Sequence, residues 1–383
     1  MDGSIGDDVM VKLNAAKDEI RDEYTKHHGK PWIVGFSAGK DSTFLLQLVF
    51  EVLLEMRSGS RTRPVYVVGN DTQVESPVMV GHLRTTLDKI GRAADTFRLP
   101  LTVHTTTPKP SDTFWVNLIG RGYRAPTRMF RWCTDRLKIE PTSRFVTEHV
   151  RASGGVILLL GVRSAESSNR AQSIAKHTVA GERLNPHDDL KGCLVFRPIK
   201  DFTTEEVWQT LLQRPAPWGG SHRNLITLYR NAQAGECPLV IDKSQAPSCG
   251  TSGAARFGCW TCTVVDKDKS GEALADAGIE HYEELVGFRD WLAEFCDDRE
   301  NRQAERRNGQ FKIMDNGALM PGPLTLDARH EVLRRLLKMQ SEIGKTLITT
   351  DEVEACRRQW ADDVMAAVGR NVQLPLVANG ETP

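Results

Sequence analysis

Six residues near the amino end, Ser37-Ala38-Gly39-Lys40-Asp41-Ser42, have the types that cradle an anion. They lie between Trp32-Ile33-Val34-Gly35-Phe36, which reads as a strand, and a strongly apolar stretch from about Ser42 to Met56, which reads as a helix. A loop at that junction turns its N–H groups and the helix N-terminus toward an incoming anion. Gly39 permits close backbone approach, Ser37 and Ser42 offer hydroxyls, and Lys40 offers a point charge. Asp41 is out of place in a pure anion site, which implies a phosphate that is metal-bound or otherwise compensated. The spacing is not that of the Gly-x4-Gly-Lys-Ser/Thr nucleotide loop. The bland alternative is a glycine turn with a solvated lysine.

A second group is sulfur. Cysteines stand at 133, 193, 237, 249, 259, 262, 296 and 356. A disulfide framework is not expected of a cytosolic chain of this size. Cys249, Cys259 and Cys262 crowd together, with Cys259-Trp260-Thr261-Cys262 forming a metal-binding pair, so they point to a metal or redox centre. The fourth ligand must come from elsewhere, with Cys133 the first choice and Cys237 the second. Four thiolates suit tetrahedral zinc or an iron–sulfur cluster, and spacing does not choose between them. Either metal acting only as a pin for the loop is the bland reading. Cys193, Cys296 and Cys356 read as packing residues.

A third group is basic. Arg121, Arg124, Arg128, Arg131, Arg136 and Lys138 are interleaved with Tyr123, Phe130 and Trp132, against the single acid Asp135. Arginine forks suit phosphate oxygens and aromatic faces suit bases, so this stretch is the candidate receiver of a nucleic-acid backbone. A solvated basic face is the plainer alternative.

The elements that must position these groups follow from periodicity. Val9, Leu13, Ala16, Ile20 and Tyr24 share a helical face. Val65–Val68 and Leu101–His104 read as strands, with a helix between them that opens at Ser76-Pro77. Val156-Ile157-Leu158-Leu159-Leu160-Gly161 is apolar on both faces, as a central parallel strand should be. Thr203-Thr204-Glu205-Glu206 forms a capping box ahead of Val207, Trp208, Leu211 and Leu212. The expected fold class is α/β, a mainly parallel sheet with helices on both faces, plus a Cys-rich metal-binding insert and a helical C-terminal region. The expected domains are 1–30 (helix), 31–214 (α/β), 215–270 (Cys-rich) and 271–383 (helical). Within the last, the charged run Arg299–Arg307 alternates in sign and reads as a solvent-facing helix.

Composition sets the limits. The chain has 383 residues, 40% hydrophobic and 26% charged, which excludes collagen-like, mucin-like and wholly disordered classes. Fifty basic residues balance fifty acidic ones, so a polyanion must be met by a local patch. No apolar run reaches the roughly 18 residues of a membrane span. The acidic start lacks a signal-peptide pattern. The expectation is a cytoplasmic protein that does not engage a membrane.

The motifs resemble a known family. Ser37–Ser42 is similar to the Ser-Gly-Gly-Lys-Asp-Ser pyrophosphate loop (PP-loop) of the ATP pyrophosphatases, with Ala38 in place of a glycine. If that position needs positive φ, alanine costs about 1 kcal/mol or more. Gly161-Val162-Arg163-Ser164-Ala165-Glu166-Ser167-Ser168-Asn169-Arg170 resembles the Gly-Val-Arg-x-x-Glu-Ser-x-x-Arg stretch of the phosphoadenylylsulfate reductase branch. Arg197-Pro198-Ile199 with Glu206-Val207-Trp208 extends the likeness over about 31–214. Arg163 and Arg170 sit where open α/β sheets bind ligands, so a pair of idle surface arginines is the weaker reading. With the cysteines added, the chain resembles the DNA phosphorothioation proteins of the DndC and SspD type.

That resemblance implies an adenine nucleotide alpha hydrolase-like fold and an activity that splits ATP into AMP and pyrophosphate. A DNA phosphate would be adenylated for sulfur insertion. Implied cofactors are ATP, Mg²⁺ and a [4Fe-4S] cluster, with zinc as the alternative. Implied partners are DNA, a cysteine desulfurase as sulfur donor and other DNA-modification subunits, with self-association into a homo-oligomer left open. In this scheme Ser37, Ala38, Gly39, Lys40, Asp41, Ser42, Gly161 and Arg163 hold the nucleotide. Lys40, Asp41, Arg163 and Arg170 act in catalysis, and Cys133, Cys249, Cys259 and Cys262 hold the metal. The rival readings are a phosphoadenylylsulfate reductase, a tRNA-thiolating enzyme, and a non-catalytic nucleotide-gated DNA-binding subunit. Against the reductase, no cysteine follows Cys356, which falls in a predicted helix.

Overall fold

A computed structural model describes residues 5–231, 258–315 and 317–371. The chain forms two compact units that interleave in sequence. The first comprises Met1–Thr107, Thr134–Cys262 and Asp268–Val286; the second comprises Pro108–Cys133, Thr263–Lys267 and Gly287–Pro383.

The elements run α1 (Asp7–Thr25), β1 (Trp32–Gly35), α2 (Lys40–Glu55), β2 (Val65–Asn70), α3 (Pro77–Thr96) and β3 (Leu101–Thr106). After the one-turn α4 (Trp132–Thr134) come α5 (Glu140–Ser153), β4 (Val156–Leu159), α6 (Ser168–Lys176), β5 (Leu184–Pro186) and β6 (Cys193–Phe196). Then follow α7 (Thr204–Gln213), α8 (Arg223–Asn231), α9 (Lys269–Asp276), α10 (Tyr282–Asp297), α11 (Leu326–Ile343) and α12 (Thr350–Asn371).

The six strands of the first unit form one sheet in the order β3-β2-β1-β4-β6-β5. All neighbours are parallel except β5, which pairs antiparallel with β6 at the edge. An edge position tolerates Pro186, which has no N–H to give a ladder. The strand order reverses at β1, so the carboxyl ends of β1 and β4 open onto a crevice where α/β sheets take ligands. Both faces of the sheet are covered. Trp32, Val34, Val67, Ile157 and Leu159 pack into one core with α1, α2, α3 and α7. Ile33, Val68, Val156 and Leu158 pack on the other face with Phe145, Val146 and Val150 of α5. This is an α/β adenine nucleotide alpha hydrolase-like fold.

Local signals explain several boundaries. Thr203 caps α7 reciprocally: Glu206 N donates to Thr203 Oγ1 at 3.1 Å, and Thr203 N donates to Glu206 Oε2 at 2.7 Å. Ser76 precedes Pro77 at the start of α3 but makes no side-chain cap. Its hydroxyl is instead bonded to Tyr282 Oη.

In the second unit α11 and α12 surround a π-helical turn, Val116–Gly120. Trp115 Nε1 donates to Leu347 O at 2.7 Å and Trp360 Nε1 to Ile119 O at 2.9 Å. The buried Arg329 donates to Gly120 O at 3.0 Å and to Asp363 Oδ2 at 2.6 Å. The helix expected over Arg299–Arg307 is not formed beyond one 3-10 turn, Arg299–Asn301. Arg302 donates instead to the carbonyls of Gly322 at 2.7 Å and Cys296 at 3.1 Å, which holds the chain extended there. Among the described residues no helix is long and apolar enough to cross a membrane.

Candidate functional site

The loop Ser37–Ser42 lies at the carboxyl end of β1, and α2 begins at Lys40. Its hydroxyls organise the turn. Ser37 N donates to Ser42 Oγ at 3.2 Å, Ser42 Oγ donates to Gly39 O at 3.1 Å, and Lys40 N donates to Tyr229 Oη at 3.3 Å. The residue in the left-handed region is Ala38, with φ +57° and no exposed surface. Gly39 has φ −80° and room for a Cβ, so the fold alone does not demand a glycine there.

Lys40 is nearly buried. Its Nζ lies 3.2 Å from Asp41 Oδ2 and 5.8 Å from the centroid of the Tyr229 ring. The other oxygen of Asp41 accepts from Arg163 Nε at 2.6 Å. The compensation that an aspartate in this loop calls for is therefore supplied by two protein cations. Arg163 is wholly buried; its Nη1 donates to Phe202 O at 3.1 Å and its Nη2 to Thr204 Oγ1 at 3.2 Å. Its guanidinium is thus placed to position Asp41 rather than to face solvent. Gly161 shows why the two loops meet closely: a Cβ there would stand 2.8 Å from the Asp41 carbonyl oxygen, which only glycine avoids. Arg170 is exposed at the start of α6, with its Nε 3.4 Å from Glu166 Oε2.

Cys259 and Cys262 fold onto the loop that follows β2. Ser76 N donates to Gly258 O at 3.2 Å and Trp260 N donates to Val74 O at 3.0 Å. Cys262 N donates to Cys259 O at 3.0 Å, so both thiols stand on one reverse turn, the backbone arrangement of a two-cysteine metal knuckle. Burial, with the Glu75 carboxylate nearby, pushes the Cys259 thiol well above the usual range. Cys133 belongs to the second unit. Cys249 and Cys237 lie outside the described residues. No group of three metal-binding side chains occurs among the described residues. The two thiols of this turn fit a soft metal in residue type and in turn geometry. Cys193, Cys296 and Cys356 are buried, and burial pushes their thiols to about 11, 12 and 12.

Two histidines that the sequence did not single out line a cavity of about 400 Å³ beside the first turn of α2. It is walled by Thr43, His82, Lys89, Trp218 and His222 among others. His222 Nε2 meets Gln47 Oε1 at 2.7 Å, while Gln47 Nε2 donates to Glu51 Oε1 at 2.9 Å. That relay fixes the proton of His222 on Nε2. Burial, aided by His82, lowers His222 to about 4. Burial also lowers His82, which is bonded to the backbone of Ala38. Isolated histidines carry no spacing signal, and only the fold brings them together.

The basic stretch is largely engaged within each unit. In the second unit Arg121 Nη1 donates to Asp112 Oδ1 at 2.7 Å, Arg124 pairs with Asp297, and Trp132 is buried with its ring stacked on Phe114. In the first, Lys138 pairs with Glu75 at 2.9 Å. Arg131, Lys138 and the tip of the turn Thr127–Phe130, with Met129 and Arg128, are exposed.

A pyrophosphate-loop turn at the strand-order reversal of a six-stranded α/β sheet defines a nucleotide-using PP-loop domain. The phosphoadenosine phosphosulfate reductase domain model matches residues 31–265, and the chain belongs to that family. A curated relative, an uncharacterized protein of Methanocaldococcus jannaschii, is 27% identical over 220 residues, covering 55% of this chain and 39% of the relative. The chain thus spans about two fifths of that relative's length. Similar solved structures include the phosphoadenylyl-sulfate reductase of Candida auris in a phosphate complex (TM-score 0.32, 13% identity, 53% of this chain and 84% of that one). The FMN adenylyltransferase of Candida glabrata gives a TM-score of 0.34 at 12% identity, over 56% and 58%. The U34-tRNA thiolase NcsA of Methanococcus maripaludis, with its [4Fe-4S] cluster, gives 0.32 at 11% identity, over 74% and 80%.

Proposed function

We propose that the chain is an ATP pyrophosphatase that adenylates a backbone phosphate of DNA so that sulfur can replace one oxygen. The observation that carries this reading is the Ser37–Ser42 loop at the head of α2, with Lys40 held beside it by Asp41 and Arg163. ATP enters as its Mg²⁺ complex. The loop N–H groups, the two serine hydroxyls and Lys40 meet the β and γ phosphates. A non-bridging DNA oxygen attacks the α-phosphorus, the bond to the β-phosphate oxygen breaks, and pyrophosphate leaves with its charge met by donors already in place. Arg170 meets the acceptor phosphate.

A persulfide, delivered by a cysteine desulfurase, then attacks the activated DNA phosphorus and AMP departs. A second thiol reduces the P–S–S link, leaving the phosphorothioate and a disulfide. Cys259 and Cys262, with Cys249, would hold a [4Fe-4S] cluster or zinc; when bound, such a centre supplies a soft site for sulfur. Other DNA-modification subunits complete the system. Cys356 is buried and unsuited to act as a reductase nucleophile.

The test is nucleotide product analysis. Wild-type protein with DNA and a persulfide source should release AMP and pyrophosphate, and Lys40→Ala should abolish the release. ADP and orthophosphate as products would overturn the reading. Mass spectrometry of DNA and tRNA from cells with and without the gene assigns the acceptor: a phosphorothioate in DNA supports it, and a thiolated tRNA base refutes it.

A further inference from the structure

A smaller cavity, about 180 Å³, is lined by Leu160 and Val162 of the turn after β4, by α6 and by β6 with the segment that follows it, and by no residue of the PP-loop. Its lining includes Arg170, Arg197, Ser173, His177, His187 and Asp188. Hydrogen bonding sorts these into donors and acceptors. Asp189 N and Leu190 N donate to His187 Nδ1 at 3.1 and 3.3 Å, so that nitrogen is the acceptor and Nε2 carries the proton. His177 faces the Ser173 carbonyl with Nδ1 at 2.6 Å and Asp188 Oδ2 with Nε2 at 2.8 Å. Asp188, the one acid of the lining, is therefore taken up by His177. Arg197 is partly buried and donates to Asn185 Oδ1 at 3.2 Å. The Nδ2 of that Asn185 is buried and lacks an acceptor among the described residues.

What remains for an occupant is a surplus of donors: the N–H groups of Arg170 beyond the Nε that faces Glu166, those of Arg197 beyond the one given to Asn185, an imidazole N–H and the Ser173 hydroxyl. Arginine forks of this kind match a tetrahedral oxyanion. We propose that this cavity is a second oxyanion site, separate from the PP-loop, that takes a phosphate- or sulfate-type group. The group is carried by a nucleic-acid backbone or by a small solute. The site deepens the reading above, in which Arg170 meets the acceptor phosphate, but its existence does not depend on nucleotide cleavage.

The experiment measures anion binding by titration calorimetry in Lys40→Ala protein, which disables the PP-loop. The probes are inorganic phosphate, inorganic sulfate and a short single-stranded oligonucleotide. Saturable binding is expected, weakened about tenfold or more by Arg197→Ala, as loss of a charge-assisted bond predicts. Should that variant fail to fold, Ser173→Asp serves: the position is on the exposed surface of α6, and the added charge should repel the anion. Competition by the oligonucleotide assigns the group to a nucleic-acid backbone; binding of the free anions without competition assigns it to a solute. Absence of binding, or binding that Ser173→Asp leaves unchanged, overturns the site. Pyrophosphate release by the wild type is measured in parallel, so a failed nucleotide reading is told apart from a failed anion site.

Discussion

Asp41 and Arg163 are joined by a 2.6 Å ion pair across 122 residues of sequence, and the guanidinium is wholly buried. Each belongs to a different loop at the carboxyl edge of the sheet, so the pair ties the nucleotide loop to the turn after β4.

Removing one partner should be costly. Arg163→Ala leaves Asp41 with Lys40 alone and orphans the Phe202 carbonyl, for an expected loss of about 3–5 kcal/mol. Arg170→Ala, at an exposed position, should cost less than about 1 kcal/mol. Urea denaturation of both variants checks the contrast; equal losses would contradict the burial of Arg163.

Ala38 carries backbone strain. Ala38→Gly should stabilise the protein by up to about 1 kcal/mol, the difference between relief of a left-handed φ and the added entropy of the unfolded chain. Ala38→Val should destabilise it, because a branched side chain at φ +57° in a fully buried site has neither conformation nor room. Chemical denaturation midpoints of the three proteins order the effects.

Much of this was readable before the fold. The apolar runs place β1, α2 and β4, and the box at Thr203 marks the start of α7. The glycine-to-alanine departure at 38 anticipates a strained φ. Other features have no local signal. Arg163 reads as a ligand-binding arginine because its acceptor lies 122 residues away. The run from Arg299 alternates in sign like an exposed helix, yet the carbonyls of Cys296 and Gly322 capture Arg302. β5 is three residues long and holds a proline, too little for periodicity to register. His82 of α3 and His222, just before α8, line one cavity only because the fold brings these segments to it.

Gly161→Ala should act on both stability and turnover. The new methyl group meets the backbone of Asp41 at 2.8 Å, and backbone does not yield as a flexible side chain does. Overpacking of this kind costs about 1–3 kcal/mol. Pyrophosphate release should fall by at least about tenfold as the PP-loop is displaced. Thermal melting and nucleotide product assays read the two effects.

Acid should weaken the first unit through His222. Its folded value, about 4, lies below the ordinary imidazole value, so the unfolded chain binds the proton first. The stability it contributes is whole above about 6.5 and is lost as pH falls toward 4, with an upper bound on the order of 3 kcal/mol. His222→Gln should flatten that part of the pH–stability curve. A variant curve as steep as the wild type between pH 6.5 and 4 would assign the acid sensitivity elsewhere.

Metal content tests the sulfur turn. Wild-type protein purified anaerobically is expected to contain iron with acid-labile sulfide, or zinc, and Cys259→Ser and Cys262→Ser should each lose it; wild-type protein free of both metals would overturn the metal reading. Cys356→Ser should retain it.

The contact of Gly161 with the Asp41 carbonyl also bears on motion. With no room for a methyl group between them, the two loops are packed backbone to backbone at this point. The Leu160–Val162 turn is at the same time one wall of the cavity holding Arg197 and His187. On the reading proposed above, Gly161 is the stiff point between the two places, and filling one is expected to register at the other.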